Sequence, residues 1–327
     1  MSANANANAP ALLTRRSVLS SSLSLLPFNF VFAQTAAKLI VPAAAGGTTD
    51  LLSRMYAQWL TESWGRPIVA ENRPGAGGVI GSQIVARAPA DGNTLMLGAL
   101  SHVANSGMMD NVPYDPIKDF TPIAKLLTFG SVLVVHPSIP ALDLKQFISH
   151  VKANPGKLTW ALGATGTSQH LAGVMLAKEA GLSWNTVPYK GGGPAMNDLL
   201  GGHTSFMIES IPTAAQHIQG GRIRALGVTG RKRSTGLPNV PTIAEAGLPG
   251  FDVEAWFALM GPAGLPADFV QNTYQRLQKI MAQPAVNERL IAMGAQPDLL
   301  SPMETKAFVE AESAHWLPII RQAGIKV

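Results

Sequence analysis

The sequence predicts an α/β protein of two domains with mainly parallel sheets. Short apolar strands alternate with helical segments along the chain. About 300 residues remain once a leader is set aside, enough for two domains of ordinary size. Glycine collects between a strand and the helix that follows it. In such sheets ligands lie outside the carboxyl ends of the strands, where those loops gather.

The leader comes first. Residues 1–33 combine an Asn/Ala-rich start without acidic residues, Thr14-Arg15-Arg16, an apolar run from Val18 to Phe32 and small residues at Val31 and Ala33. This is the composition of a secretory signal cleaved before Gln34, too short and interrupted by Pro27 to span a membrane. The paired arginines in T-R-R-S-V-L resemble a twin-arginine export signal, with an ordinary secretory signal as the alternative. The expected address is therefore the periplasm, as a soluble protein. Cysteine is absent from the whole sequence, which rules out both a lipid anchor on cysteine and disulfide bonds.

Removing 33 residues leaves 294. The leader holds two of the 25 basic residues and none of the 20 acidic ones, so the remainder carries a net charge of +3. The longest basic block, Arg231-Lys232-Arg233, is no nucleic-acid footprint. It reads as a solvated loop or part of a docking surface.

The first strand is expected at 38–41. It runs into VPAAAGGTTD (41–50), and Asp50 opens a helix to 63 in which Leu51, Leu52, Met55, Tyr56, Trp59 and Leu60 make one apolar stripe. A glycine–threonine loop here aims backbone N–H groups and the Thr48 and Thr49 hydroxyls at whatever sits above the helix end, where the macrodipole adds positive charge. That geometry cradles an anion without a basic side chain. The plainer reading is a strand-to-helix turn with Thr48 or Thr49 as N-cap.

Further strands are expected at 94–98, 131–135, 158–162, 205–208, 223–228 and 253–259. Helices are expected near 79–88, 143–153, 169–180, 194–200, 212–219, 268–282, 285–293 and 303–323. Thr242 with Glu245, and Ser301 with Glu304, are spaced as capping boxes, and Pro302 suits a first helical position. Gly181 suits a left-handed C-cap. Pro318 predicts a kink in the last helix or two shorter ones.

Three more glycine loops enter helices: ENRPGAGGVIGSQ (71–83), GATGTSQHL (163–171) and YKGGGPAMNDLLGG (189–202). Four such starts in two halves of a chain suggest a cleft lined by backbone donors.

VPAAAGGTTD, ENRPGAGGVIGSQIVARAPADGNTLML (71–97), VPYKGGGPAMNDLLGGH (187–203), RIRALGVTGRKRSTGLPNVPTIAEAGLPGF (222–251) and AWFALMGPAGLP (255–266) together resemble the tripartite tricarboxylate transporter receptor family, the Bug-type, TctC-like solute-binding proteins. The likeness covers essentially all of the chain after the leader. It implies a two-domain periplasmic-binding-protein (Venus flytrap) fold with an interdomain ligand cleft. Its domains would be 35–131 plus 254–327, and 132–253. It also implies capture of a small carboxylate and delivery to transporter subunits in the membrane. The resemblance places the ligand between one loop of Ala43, Ala44, Gly46, Gly47, Thr48, Thr49 and Asp50, and a second of Thr165, Gly166, Thr167, Ser168, Tyr189, Lys190, Gly191 and Gly192. Asn72, Gly75, Ala76 and Gly77 would flank it. The family's usual V-P-F-x-P-G-G has Ala43 and Ala45 in place of the aromatic and proline here, which puts a wider or less apolar pocket in play. Glu209 stands where the family often has an aspartate or asparagine. It would select an amino or amide group on the ligand or cap its glycine-rich neighbours.

Among single residues, Asp50 suits a structural role, because a carboxylate in the first turn complements the dipole and would repel an anionic ligand. Arg73 could grip a carboxylate bidentately or remain an exposed loop charge. His170, Trp160, Trp184 and Trp256 suit packing. A catalytic reading finds little purchase. The glycines lack the acidic partner of a dinucleotide site and the G-K-[ST] of a P-loop, and His170 stands where a nucleophile elbow needs glycine. The seven histidines are scattered. No enzyme activity, metal, cofactor or nucleic-acid partner is expected, and the protein is expected to be a monomer. A receptor that feeds a signalling protein is the alternative to transport.

Overall fold

The computed structural model describes residues 36–326, so the leader expected at 1–33 lies outside the described residues. The elements run β1 (Ala37–Val41), α1 (Thr48–Trp64), β2 (Ile68–Asn72), α2 (Val79–Ala86), β3 (Thr94–Ala99), α3 (Leu100–Met108), β4 (Phe120–Val135), α4 (Leu144–Ala153), β5 (Thr159–Leu162) and α5 (Ser168–Ala180). They continue with β6 (Asn185–Pro188), α6 (Gly192–Leu200), β7 (Phe206–Ser210), α7 (Ile211–Gln219), β8 (Arg224–Val228), β9 (Glu254–Pro262), α8 (Ala267–Met281), α9 (Pro284–Ala292), β10 (Ala295–Leu300) and α10 (Pro302–Gln322).

Local chemistry sets most of these boundaries. α1 buries Leu52, Met55, Tyr56 and Leu60 on one face and stops at Gly65, whose φ of +68° suits a residue without Cβ. α5 stops in the same way at Gly181, as its position predicts. Ser301 and Glu304 form both halves of a capping box at the head of α10, and Pro318 lies inside that single helix. Thr242 and Glu245 bond each other reciprocally, at 2.9 and 3.0 Å, yet they close a turn and not a helix.

The strands order as β2-β1-β3-β9-β4-β7-β5-β6, with β10 and β8 also pairing on β4. The strand–helix units yield parallel pairs at both ends: β1 with β2 and β3, and β5 with β6 and β7. Between them, β9 pairs antiparallel with β3 and β4, and β7, β8 and β10 pair antiparallel with β4. The sheet as a whole is therefore mixed. β4 is the shared element: Phe120–Gly130 pairs with β9, and Ser131–Val135 pairs with β7.

Strand directions then decide where the loops point. β3 ends at Ala99 opposite Phe257, which itself faces Leu127 of β4. β7 runs the other way and ends at Ser210 opposite Ser131. The carboxyl ends of β1–β3 and of β5–β7 thus converge on the Gly130–Ser131 junction from opposite sides.

The core is continuous across this junction. One cluster joins Ile40, Met96 and Val103 to Trp160, Phe206, Leu171 and Trp256. A second lies under α1 and α8 around Tyr56, Leu60, Leu127, Phe257 and Leu277, and a third holds Val132, Met196, Leu199 and Val228. Trp160 and Trp256 are buried, as packing residues should be.

Three strands and one helix are additional to the sequence expectation. β2 and β6 are sheet edges with partly exposed residues, and Pro188 is tolerated at such an edge. β10 carries Pro297 and Asp298, the latter paired with the buried Lys125 of β4. β4 itself is sixteen residues long, because Pro122 and Lys125 are accommodated at register shifts that the apolar pattern does not announce.

α3 follows β3 without a loop and buries His102 completely. The ring lies parallel to Tyr114 at 5.2 Å and edge-on to Phe120 at 4.4 Å. Its Nε2 donates to Pro116 O at 3.1 Å, so Nδ1 is the acceptor facing Ser82 Oγ at 3.4 Å. Burial drives its pKa down to about 4 from 6.5, more than the Pro116 carbonyl restores. Between those values the unfolded chain binds the extra proton, so stability rises with pH and is lost as pH falls. We expect acidification from pH 6.5 to 4 to cost on the order of 3 kcal/mol at this residue. Denaturant unfolding at stepped pH checks it: His102→Gln lowers stability at neutral pH and flattens that part of the curve.

Candidate functional site

The loop after β1 is built around a carboxylate. Gly46, at φ +87°, donates its N–H to Asp50 Oδ2 at 2.9 Å. Asn72 Nδ2 donates to Asp50 Oδ1 at 2.9 Å and to Ala43 O at 3.2 Å, and Arg54 Nε reaches Asp50 Oδ1 at 3.0 Å. Burial alone would raise the Asp50 pKa. The Gly46 N–H and the Arg54 and Asn72 side chains outweigh it and hold the carboxyl below its usual range. Asp50 and Asn72 therefore turn inward and shape the loop.

This leaves the head of α1 open. Its N-cap is Gly47, and no side chain caps it, so neither Thr48 nor Thr49 plays the capping role that the plainer reading gives them. The first N–H groups of a helix have no partner along the helix. Here they sit under Ala44, Ala45, Gly46 and Gly47, all exposed, with Thr48 and Thr49 half-buried beside them.

The loop after β2 is tight. Gly75, Ala76, Gly77 and Gly78 all have positive φ, and Ala76 at +47° is the non-glycine example among the described residues. A Cβ on Gly78 would lie 3.0 Å from Pro42 O, and one on Gly81 2.8 Å from Pro42 Cα, so this loop must pack against the end of β1. Arg73 pairs with Glu71 at its exposed lip and so takes the loop-charge role.

In the other set of loops, several expected donors are consumed internally. Gly166 N–H donates to His170 Nδ1 at 3.1 Å, which fixes the ring proton on Nε2. Burial lowers the His170 pKa, in keeping with a neutral ring. Thr167 Oγ1 accepts from His170 N–H at 3.3 Å and donates to Ala164 O at 3.0 Å, capping α5. Ser168 Oγ donates to Gln169 Oε1, and Tyr189 OH to Asp198 Oδ2 at 2.6 Å. Thr165 is half-buried in the same loop, and Lys190 is exposed.

α6, by contrast, starts at Gly191 with φ +141° and no side-chain cap. Its next residue packs closely on two neighbours: Gly163 approaches Gly192 so that a Cβ would meet the Gly192 Cα at 3.0 Å, and a Cβ on Gly192 would meet Glu209 Oε2 at 2.5 Å. Glu209 is buried, which raises its pKa, and Oε1 accepts from the Ser210 N–H at 2.7 Å and hydroxyl at 2.9 Å. Those bonds go to Ser210, and Gly192 meets the carboxylate by close packing.

Sequence reasoning missed one residue that joins these loops. Asn105 of α3 donates from Nδ2 to Gly77 O at 3.1 Å, and its Oδ1 lies 3.5 Å from the Cβ position of Gly166. The helix carrying it has no cap signal and only nine residues, so its short stripe of Leu100, Val103, Ala104 and Met108 did not mark it.

A polar cavity of about 220 Å³ shares no residue with these loops. Lys125, Glu254, Trp256, Arg231 and Glu312 line it. Its charges largely answer one another: Lys125 with Asp298, Arg231 with Asp252, and both indole N–H groups of Trp256 and Trp316 with Glu312. The open donors lie at the loops, and they locate the candidate site there.

Two sets of strands whose glycine loops converge on a crossover strand define the class: a two-domain solute-binding protein of the periplasmic-binding-protein fold. The tripartite tricarboxylate transporter family receptor matches residues 52–325, and the chain belongs to that family. It is 37% identical over 292 residues to Protein BugT of Bordetella pertussis, covering 89% of this chain and 90% of that one. Among solved structures, R. palustris Rpa4515 with adipate superposes with a TM-score of 0.82 at 34% identity, covering 89% of this chain and 98% of that chain. The periplasmic binding protein BugD gives 0.79 at 33% with the same coverage. MatC from Rhodopseudomonas palustris with bound malate gives 0.78 at 32%, covering 87% and 98%. Among the described residues no helix is long and apolar enough to cross a membrane.

Asp50→Ala should loosen the β1–α1 loop by removing the charged acceptor shared by the Gly46 N–H, the Asn72 amide and Arg54. We expect a loss of about 1–3 kcal/mol in unfolding free energy, and weaker ligand binding measured by calorimetry.

Proposed function

We propose that this receptor captures a small carboxylate in the periplasm and delivers it to membrane subunits of a tripartite tricarboxylate-type transporter. The observation that carries the reading is the pair of glycine-started helices, α1 at Gly47 and α6 at Gly191, that enter the cleft from opposite sides with no side-chain cap. Their N–H groups and dipoles would hold a carboxylate by short, directional bonds without a cationic side chain. The adipate and malate named for two structural neighbours are carboxylates of this size.

The proposed site comprises Ala43, Ala44 and Gly46–Thr49 on one side and Thr165, Ser168 and Lys190–Gly192 on the other. Asp50, Asn72, Gly75, Ala76, Gly166, Thr167, Tyr189 and Glu209 support those loops. Domains 35–131 plus 254–327, and 132–253, would close over the ligand about β4 and β9. A ligand that bridges both sets of donors binds the closed form better and shifts the population toward it. Export would follow the leader at 1–33, by a twin-arginine or ordinary secretory route. The chemistry is capture rather than turnover.

A thermal-shift screen of residues 34–327 against mono-, di- and tricarboxylates, each paired with its amide, tests the reading. A ligand at 100 times its Kd should add roughly 2.7 kcal/mol, several degrees in Tm. Acids that shift the protein while their amides do not would support it, and equal shifts for acid and amide would sink the backbone clamp. Gly47→Val is the matching variant. Gly47 has an ordinary extended backbone, and a Cβ there meets only Ala44 O, at 4.0 Å. The variant should fold normally and lose ligand binding, because the branched side chain covers the N–H groups; retained affinity would remove α1 from the site.

A further inference from the structure

Building on the capture reading above, we propose that Asn105 reads a hydrogen-bond donor on the ligand. The preferred solute is then a carboxylate that also carries a hydroxyl or ammonium group, in preference to its plain parent acid.

Asn105 is 1% exposed. Its amide has one end satisfied and one end empty: Nδ2 donates to Gly77 O at 3.1 Å, and Oδ1 has no partner. The orientation is fixed, because the swapped amide would set its oxygen against the Gly77 carbonyl, two acceptors face to face. The empty acceptor lies 3.0 Å from where a Cβ on Gly77 would be and 3.5 Å from where one on Gly166 would be. It therefore stands between a loop that follows β2 and a loop that follows β5, one from each set of strands.

The donors around it are already engaged. Gly166 N–H goes to His170 Nδ1, and Tyr114 OH goes to His102 O at 3.2 Å. Among the cleft's other buried acceptors, the Asp50 carboxylate is held by Gly46, Asn72 and Arg54, and Glu209 Oε1 is occupied by Ser210. A buried acceptor with no partner is uncommon and costly, and a cleft that opens and closes can leave one empty for its ligand. A carboxylate oxygen would be repelled at Oδ1, whereas an O–H or N–H would be held. The ligand's carboxylate belongs at the helix heads, and its donor belongs between Gly77 and Gly166.

The test is calorimetry on the native mature chain with matched sets. Succinate is compared with its 2-hydroxy and 2-amino forms, malate and aspartate, and glutarate with 2-hydroxyglutarate and glutamate. We expect at least one donor-bearing member to bind about tenfold or more tighter than its parent. Whether the hydroxyl or the ammonium member wins identifies the donor. Asn105→Leu keeps the shape but removes both the acceptor and the donor to Gly77 O. The readout is therefore the ratio within each set, which should fall to within about threefold whatever the change in the parent acid. Equal affinities within every native set overturn the inference and leave the capture reading standing. So does a preference that survives in Asn105→Leu, or an equal loss of all members in a folded variant. If the variant does not fold, the native sets decide alone. If no acid in either set binds the native chain, the inference falls together with the reading that supports it.

Discussion

The opposed pairing along β4 is the constraint on which the rest of the molecule depends. A strand has a direction, and every neighbour of β4 inherits its own from the hydrogen-bond ladder. β3 and, through it, β1 and β2 reach β4 by way of the antiparallel β9, and they run toward Gly130. β7 pairs directly and antiparallel over Ser131–Val135, so β5, β6 and β7 run toward Ser131. A strand–helix unit always puts its helix start at the strand's carboxyl end. The glycine-rich starts of α1, α2, α5 and α6 are therefore brought face to face by topology, before any side chain is considered.

Within that frame the loops spend most of their polar groups on themselves. Asp50 holds Gly46 and Asn72, His170 holds Gly166, and Thr167 caps α5. Each of these bonds fixes a backbone conformation, and each withdraws a donor from the ligand. What remains open is set by where a side-chain acceptor is missing, at Gly47, Gly78 and Gly191. The glycines at these positions matter less as hinges than as helix starts that no side chain covers.

That distinction explains what the sequence could and could not disclose. The alternation of strands and helices, the Gly181 and Ser301 caps and the glycine loops are local signals, and local chemistry decides them. Which loop donors are occupied depends on residues far apart in the chain, such as Asn72 reaching Asp50, and composition carries no trace of that. β4 was legible only over its last five residues, since Lys125 reads as a surface residue until Asp298 and the Phe308 ring, 4.2 Å from Nζ, are placed around it. The domain boundaries inferred from the chain rest on the same crossover strand and stay a proposal.

α3 is where local reading fails most completely, and the reason is physical. The helix starts directly from β3 with no side-chain cap, and its stripe of Leu100, Val103, Ala104 and Met108 is only nine residues long with no turn signal ahead of it. Its order comes from tertiary contacts: His102 locked between Tyr114, Phe120 and Pro116 O, and Gly107 packed against Leu317 and Ile320 of α10. That anchoring has a consequence for the cleft. Asn105 lies one turn beyond His102, so the depth at which its amide sits is set by a neutral imidazole in the core and not by the glycine loops. In the proposed capture a wall fixed by the core stands behind the glycine loops and separates two tasks. The loops would recognise a carboxylate through backbone groups that every residue possesses, and discrimination among carboxylates would fall to the few side chains that the core holds still.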